Sequence, residues 1–417
     1  MEILIKNIKQ LVQVEVEPKL KVSGRDMKQL PCIDDAWLAI EDDTIAGFGK
    51  MQDWEGISDW SNLTVIDATD KIVMPSYCDS HTHLVYAGTR ETEFADRING
   101  LTYEEIFARG GGILNSAKKL AEASEEELMQ SAMVRLEEII MQGTGAVEIK
   151  SGYGLSTDSE LKMLRVIKKL KSISPLTIKS TFLGAHAVPA NYKGNKRGYI
   201  DLLTNEMMPI IATEGLADYC DVFCEQNYFT KEETIEILNA GKWYGMIPKV
   251  HAEQLSNFGG TLAGVETGAI SVDHLEYVGE KEIEALQNSD TISTILPGAA
   301  FFLNLPFPPA RKMIDAGLPV ALASDFNPGS CPSGNMNLMM SIGCIQYKMT
   351  PEEVINAATI NGAYAMDLSK THGSIAVGKQ ANVFITNKIS GYSFIPYAFG
   401  SNPAETIILN GKLINRK

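Results

Sequence analysis

Between Lys71 and Asn327 the sequence passes eight times from a short, β-prone apolar run to a stretch with helical spacing, and this alternation restricts the fold more than any other feature. The runs are KIVMPSYCDSHTH, AVEIKSGYG, TIKSTFLGAH, YCDVFCEQ, IPKVHAEQ, AISVDHLE, TISTILPG and LPVALASDFN. Segments such as SEEELMQSAMVRLEEIIMQG, with apolar residues three and four apart, separate most of them. Eight strand-helix units in roughly 300 residues predict an α/β fold, a TIM-type (β/α)8 barrel. A doubly wound open sheet is the competing arrangement. No GxGxxG follows the first strand of this region, so the dinucleotide-binding version of that sheet loses its usual support.

The two ends of the chain read differently. MEILIKNI, AWLAIEDDTIAGFG and NLTVIDATD near the start, and GSIAVGKQANVFITN and AETIILNGKLI near the end, are β-prone pieces broken by polar turns. They predict one small β-sandwich domain made from both termini, residues 1–70 and 373–417, around a barrel of residues 71–372. A chain of 417 residues, 45% hydrophobic, is long enough to bury both cores.

Charge narrows the partners. Asp and Glu total 52 against 37 Lys and Arg, a formal net charge of −15, which argues against nucleic acid or an anionic membrane as the main partner. The opening MEILIKNIKQ has no apolar core of a secretory signal, and no apolar run approaches the ~20 residues of a membrane span. The six cysteines (Cys32, Cys78, Cys220, Cys224, Cys331 and Cys344) form no CxxC pair and read as reduced thiols of a cytoplasmic protein. Cys220 and Cys224, in CDVFC, read as small buried residues rather than soft metal ligands. RGGGIL, from Arg109 to Leu114, lacks a following Lys-Ser/Thr and is a flexible loop rather than a phosphate cradle.

The histidines locate the chemistry. His81, His83, His186, His251 and His274 each lie at the C-terminal end of a predicted strand, the end where the loops of a parallel barrel open; His372 does not. His81 and His83 are two apart on a strand, so both imidazoles project to one side and reach one metal ion. His251 ends the fifth strand. Asp325 ends the eighth, after apolar PVALAS, where a carboxylate is costly to bury without a partner. The plainer reading of Asp325, a turn residue before Asn327-Pro328-Gly329, gives way once the histidines are considered together.

Three imidazoles and a carboxylate suit one zinc or iron ion with a position left for water. The fourth strand, YCDVFCEQ, lacks the lysine that often bridges two metals, so one divalent ion is expected. His186 and His274 are candidates to orient water or polarise a carbonyl, the alternative for each being a satisfied core histidine.

HxH after the first strand, His after the fifth and sixth, and Asp after the eighth resemble the amidohydrolase superfamily, and within it the imidazolonepropionase family. The resemblance covers nearly the whole chain. It rests on DSHTHLVYAGTRETEFADRINGLTYEEI, EIKSGYGL, TFLGAHAVP, VHAEQLS, SVDHLE and SDFNPGSCPSGNM, of which the first and last are the most specific.

The resemblance implies hydrolysis of 4-imidazolone-5-propanoate to N-formimidoyl-L-glutamate by metal-activated water, with Asp325 handling the proton and His274 bonding the nucleophile or the developing oxyanion. Arg90 matches the family's carboxylate-binding arginine; Arg97 and Arg109 are substitutes, and a solvated surface role is the plain alternative for all three. Tyr153 and His186 match positions that contact the substrate. Asn327, Gly329 and Ser330 resemble a loop that holds a carboxylate through N–H groups and hydroxyl, against the alternative of an ordinary turn. Gln254 stands where related deaminases have a glutamate. An amide cannot ionise but can bond an imidazolone ring, which disfavours a deaminase unless Glu253 turns inward instead. The expected partner is a small molecule with a carboxylate tail, and barrels of this type suggest a homodimer. The long segment from Arg90 to Asn115 is a candidate cover. Competing functions are another amidohydrolase of a cyclic amide or amino-heterocycle and, from a different class, a non-catalytic scaffold.

Overall fold

The computed structural model describes residues 2–56, 63–101, 105, 109 and 111–415. Each of the eight predicted runs contains one barrel strand: β6 (Tyr77–Thr82), β7 (Thr144–Lys150), β8 (Thr177–Ala185), β9 (Tyr219–Cys224), β10 (Ile247–Ala252), β11 (Ser271–His274), β12 (Ile292–Ile295) and β13 (Val320–Leu322). They lie in sequence order and every neighbouring pair is parallel. Past the end of β13 the chain returns to β6. The Asp325 N–H donates to His81 O (3.0 Å) and the His83 N–H to Phe326 O (2.9 Å), which joins the last strand to the first at the C-terminal rim. Helices cover the outside. The helix Thr157–Ile173 begins at Ser156, whose side chain accepts the Ser159 N–H, and it buries Leu161, Leu164, Ile167 and Leu170 at helical spacing. Each such leucine or isoleucine contributes about 1.5–3 kcal/mol by leaving water.

The first predicted run divides in two. Lys71–Pro75 forms β5, which belongs to the sheet of the termini, and the barrel strand starts only after Ser76. That sheet contains β1 (Glu2–Val12), β2 (Cys32–Glu41), β3 (Thr44–Lys50), β4 (Leu63–Asp67), β5, β14 (Val383–Lys388), β15 (Ala404–Leu409) and β16 (Lys412–Ile414), so both ends of the chain build one small β domain. The long β1 organises it. One edge pairs along its length with β2, while the other takes β4 at its start and β5 near its end. Ile3, Ile5, Ile8, Leu11, Leu38, Val383 and Ile408 form its own core, separate from the main one. The two parts meet where Tyr77 and Phe384 pack with ring centroids 5.2 Å apart. Gly143 lies against both rings with φ +99°, a left-handed backbone that disfavours a side chain, and a Cβ there would stand only 3.1–3.2 Å from the two rings.

Candidate metal centre and substrate pocket

The inward faces of the barrel strands carry charge where such barrels ordinarily hold branched aliphatic residues. Residues two apart on a strand share a face, so Glu148 and Lys150 on β7 both point inward, as do Lys249 and His251 on β10. With Asp221 on β9 and Asp273 on β11 these side chains make a closed, fully buried layer. Lys150 Nζ donates to Glu148 Oε1 (2.5 Å) and Asp221 Oδ2 (2.8 Å) and lies 3.8 Å from Asp273 Oδ2. Lys249 Nζ donates to Glu148 Oε2 and to the carbonyl of Ser80 (3.0 Å). Isolated charges at such depth are prohibitive; paired and fully bonded they are tolerated.

The histidines stand on this layer. His81 Nδ1 is 2.6 Å from Asp273 Oδ2, so the proton sits on Nδ1 and the Nε2 lone pair faces the barrel mouth, where it has no hydrogen-bond partner among the described residues. His251 Nδ1 lies 3.0 Å from Asp221 Oδ2, and its backbone N–H donates to the other oxygen of that carboxylate (3.1 Å). Asp325 Oδ1 is 3.6 Å from His81 Nε2 and 3.7 Å from His83 Nε2, while the Nε2 atoms of His83 and His251 are 3.4 Å apart. Burial, with a contribution from Lys150, holds His81 far below the usual histidine range; burial and the neighbouring His186 do the same for His83. Both are neutral, the form that binds a metal. The residues therefore fit a divalent cation. The structure brings together all four predicted ligands and adds His274, since ligand atoms of His81, His251 and His274, and of His81, His83 and Asp325, lie within 4.8 Å of one another.

Two of these groups sit on left-handed backbone, Asp325 at φ +55° and His274 at φ +89°. Such non-glycine conformations cost of order 1–3 kcal/mol and persist only when their surroundings fix them. At Asp325 they do so: the Asn327 side-chain amide donates to the Asp325 carbonyl (2.7 Å) and the Ser330 hydroxyl donates to Asp325 Oδ2 (2.9 Å). His274 Nδ1 lies 3.6 Å from the buried Glu276 carboxylate; burial disfavours the imidazolium, but Glu276, Asp325 and Asp273 together outweigh it and raise the histidine.

The pocket residues gather on one side. His186 stacks on His83 at 5.3 Å and 15°, Tyr153 lies 5.7 Å from His83 and 5.6 Å from His186, and His186 Nδ1 is 3.1 Å from the Gly152 carbonyl. Burial lowers the His186 pKa to about 3. Arg90 reaches the loop after Asp325. A Cβ at Gly329 would stand 2.2 Å from Arg90 Nη1, so only glycine lets the guanidinium lie there. The predicted carboxylate-binding turn is occupied by its own side chain. Asn327 Oδ1 accepts the N–H groups of Gly329 (2.7 Å) and Ser330 (2.8 Å), and what Gly329 contributes here is space for Arg90. Arg109 pairs with Asp96 (3.2 Å) in a largely exposed position, and Arg97 covers the Phe302 ring at 5.6 Å.

Glu253 turns away from the histidines. Its carboxylate accepts the N–H groups of Gly259 (3.0 Å) and Thr261 (2.9 Å) at the start of the helix Gly260–Thr267, which leaves Gln254, buried, as the alternative toward the mouth. The same device recurs around the rim. Glu160 holds the N–H groups of Gly152 (3.1 Å), Gly154 (2.7 Å) and Leu155 (2.9 Å) around Tyr153, and Glu225 holds those of Leu255 (2.8 Å) and Ser256 (3.2 Å) after Gln254. A buried carboxylate thus satisfies backbone donors that an irregular loop leaves open. The predicted cover from Arg90 to Asn115 and the RGGGIL loop fall partly outside the described residues.

Sequence reasoning missed Lys150, Glu148, Lys249, Asp221 and Asp273, although each interrupts an otherwise apolar strand. A charged residue at an inward position of AVEIKS, YCDVFC, IPKVHA or SVDH was the available signal. It also passed over Glu93, three residues after Arg90. His372 keeps a structural place, with Thr177 Oγ1 2.9 Å from its Nε2. The six cysteines are free, with Cys220 and Cys224 buried.

Comparison with known proteins agrees with this geometry. The profile of the amidohydrolase family matches residues 72–414. An imidazolonepropionase of Christiangramia forsetii is 58% identical over 414 residues, covering 99% of this chain and 100% of that one. One from Alkaliphilus metalliredigens is 41% identical, covering 99% and 98%. Among solved structures, a triazine hydrolase variant aligns with TM-score 0.74 at 15% identity, over 99% of this chain and 94% of that one. A zinc-bound adenosine deaminase from Xanthomonas campestris aligns with TM-score 0.70 at 15% identity, over 99% and 92%. At these identities the solved structures speak for the fold alone.

Proposed function

The chain belongs to the amidohydrolase family and, within it, to the imidazolonepropionases, and from that premise we propose that His81, His83, His251 and Asp325 hold the one zinc or iron ion with which it works. It is a metal-dependent cyclic-amide hydrolase of histidine degradation, opening the ring amide of 4-imidazolone-5-propanoate to N-formimidoyl-L-glutamate. The convergence of unpartnered imidazole nitrogen and the Asp325 carboxylate at the barrel mouth, beside a half-buried arginine, carries this reading of the site.

A divalent ion in such a site activates water near neutral pH for attack on a carbonyl. The protein's own residues do the rest. Asp325 Oδ1 stands among the ligand nitrogens and accepts the proton from the attacking water, while the Ser330 hydroxyl holds Oδ2 and fixes the carboxylate plane. The same carboxylate returns that proton to the ring nitrogen as the carbon–nitrogen bond breaks. His274, whose charge Glu276 supports, donates to the oxygen that gains negative charge. Tyr153 and His186 flank the ring, and Gln254 bonds it through an amide that keeps its protons. Arg90 receives the propanoate tail, and Asn327 and Gly329 shape the loop against which it does so. A reducing, cytoplasmic compartment is part of the proposal, supported by six cysteines of which none is paired.

The decisive measurement is ultraviolet decay of freshly prepared 4-imidazolone-5-propanoate with metal-loaded and chelator-stripped protein side by side. Metal-dependent decay with formimidoylglutamate appearing is expected. Decay no faster than the spontaneous rate would remove the substrate assignment and send the test to a panel of cyclic amides and amino-heterocycles. Arg90→Met is expected to raise KM for the tailed substrate about 10-fold or more at unchanged metal content. An unchanged KM would reject Arg90 as the tail's partner.

A further inference from the structure

Arg90 does not reach the loop after Asp325 unaided. It is the N-cap of the helix Glu91–Ile98, and one turn along that helix Glu93 folds back onto it. Arg90 Nε and Nη2 both donate to Glu93 Oε2, at 2.8 and 2.5 Å, with the two side chains about a tenth exposed. Glu93 has further work. The Gly112 N–H donates to Oε2 (3.2 Å) and the Asn115 side-chain amide to Oε1 (3.2 Å), both from residues that follow in the chain after the helix. One carboxylate thereby ties together the arginine, the helix that carries it and the start of the helix Ile113–Glu122.

The consequence lies in the direction of the guanidinium. Two of its donor positions are committed to Glu93, which turns Nη1 toward Gly329 and the loop below Asp325. An unpaired arginine on a loop has several rotamers and loses their entropy on binding; one held by two N–H bonds to a single carboxylate oxygen loses little. We propose that Glu93 is a positioning residue for tail recognition: it fixes the Arg90 guanidinium against Gly329 and so gives the site its preference for an imidazolone that carries a carboxylate. This rests on the reading of Arg90 as the tail's partner.

The test compares two substrates, 4-imidazolone-5-propanoate and an imidazolone without the tail, on the metal-loaded wild type, Glu93→Gln, Glu93→Asp and Arg90→Met, with metal content measured on each. For Glu93→Gln the expected result is a fall of about 10- to 100-fold in kcat/KM for the tailed substrate, carried by KM, with the tailless ring unaffected and metal content unchanged. Glu93→Asp keeps the charge and should recover part of the loss. Equal losses on both substrates would make Glu93 merely structural and overturn the proposal. Loss of tail preference in Arg90→Met but not in Glu93→Gln would also overturn it, while leaving Arg90 in place. Tail preference intact in Arg90→Met would remove the reading of Arg90 and this proposal with it. Should Glu93→Gln fail to fold, Asn115→Ala loosens Glu93 from the other side, and a rise in KM confined to the tailed substrate is again the expected sign.

Discussion

Asp325→Ala should lose about 10²- to 10⁴-fold in turnover and part of its bound metal. The expectation joins two observations. The carboxylate approaches the Nε2 atoms of both His81 and His83, so its removal takes away one of the proposed ligands; it is also buried and in reach of the mouth, as the proposed proton carrier must be. Burial raises its pKa above the ordinary carboxylate value, opposed by the neighbouring His274 and His251, which suits a group that must both take and return a proton. Asp325→Asn separates the parts. It keeps the volume and the bond from Ser330 but cannot carry the proton, so turnover should fall nearly as far while the fold is unchanged. Metal analysis and steady-state kinetics on both variants check this. More than about a tenth of the wild-type rate in either would leave Asp325 neither ligand nor proton carrier of consequence.

Lys150→Met should cost about 3–5 kcal/mol of stability, the effect of removing one partner from a buried ion pair. Without the ammonium, Glu148, Asp221 and Asp273 would share a buried barrel interior with Lys249 as the remaining cation of the layer. Methionine matches the length of the lysine stem, so a packing defect would not explain the loss. The metal should be affected as well. Asp221 and Asp273 orient His251 and His81, and carboxylates that re-pair or protonate no longer fix those rings. Calorimetric melting and chelator competition for the bound ion report the two consequences separately. Full thermal stability together with unchanged metal retention would show the layer to be dispensable. Apolar side chains fill such barrels well, so the charged layer is best understood as the support of the ligands rather than as a source of stability.

The alternation of strand and helix periods, and the recurrence of histidine at strand ends, were enough to read the barrel, the joining of the termini and the gathering of the histidines and Asp325 at one rim from the sequence. These are properties of spacing: a period of two or 3.6 residues fixes which side chains share a face, and a parallel barrel sends every strand end to the same rim. The division of KIVMPSYCDSHTH into β5 and β6 was not legible, because continuous hydrophobicity suits both a buried strand of the small sheet and a barrel strand.

What each rim residue does was decided by contacts between distant parts of the chain. Glu253 and Gln254 are adjacent, and only the packing of the helix Gly260–Thr267 determines that the carboxylate turns to that helix. Gly329 looks like part of an anion-binding turn until Asn327 is seen to occupy its N–H and Arg90 the space beside it. Pairing across the barrel, as between Lys150 on β7 and Asp221 on β9, depends on strand register and curvature. The sequence by itself therefore determined which residue types face the mouth. Tertiary structure alone determined which of them are free to meet a ligand, since hydrogen-bond partners are chosen by proximity in space and local spacing does not encode it.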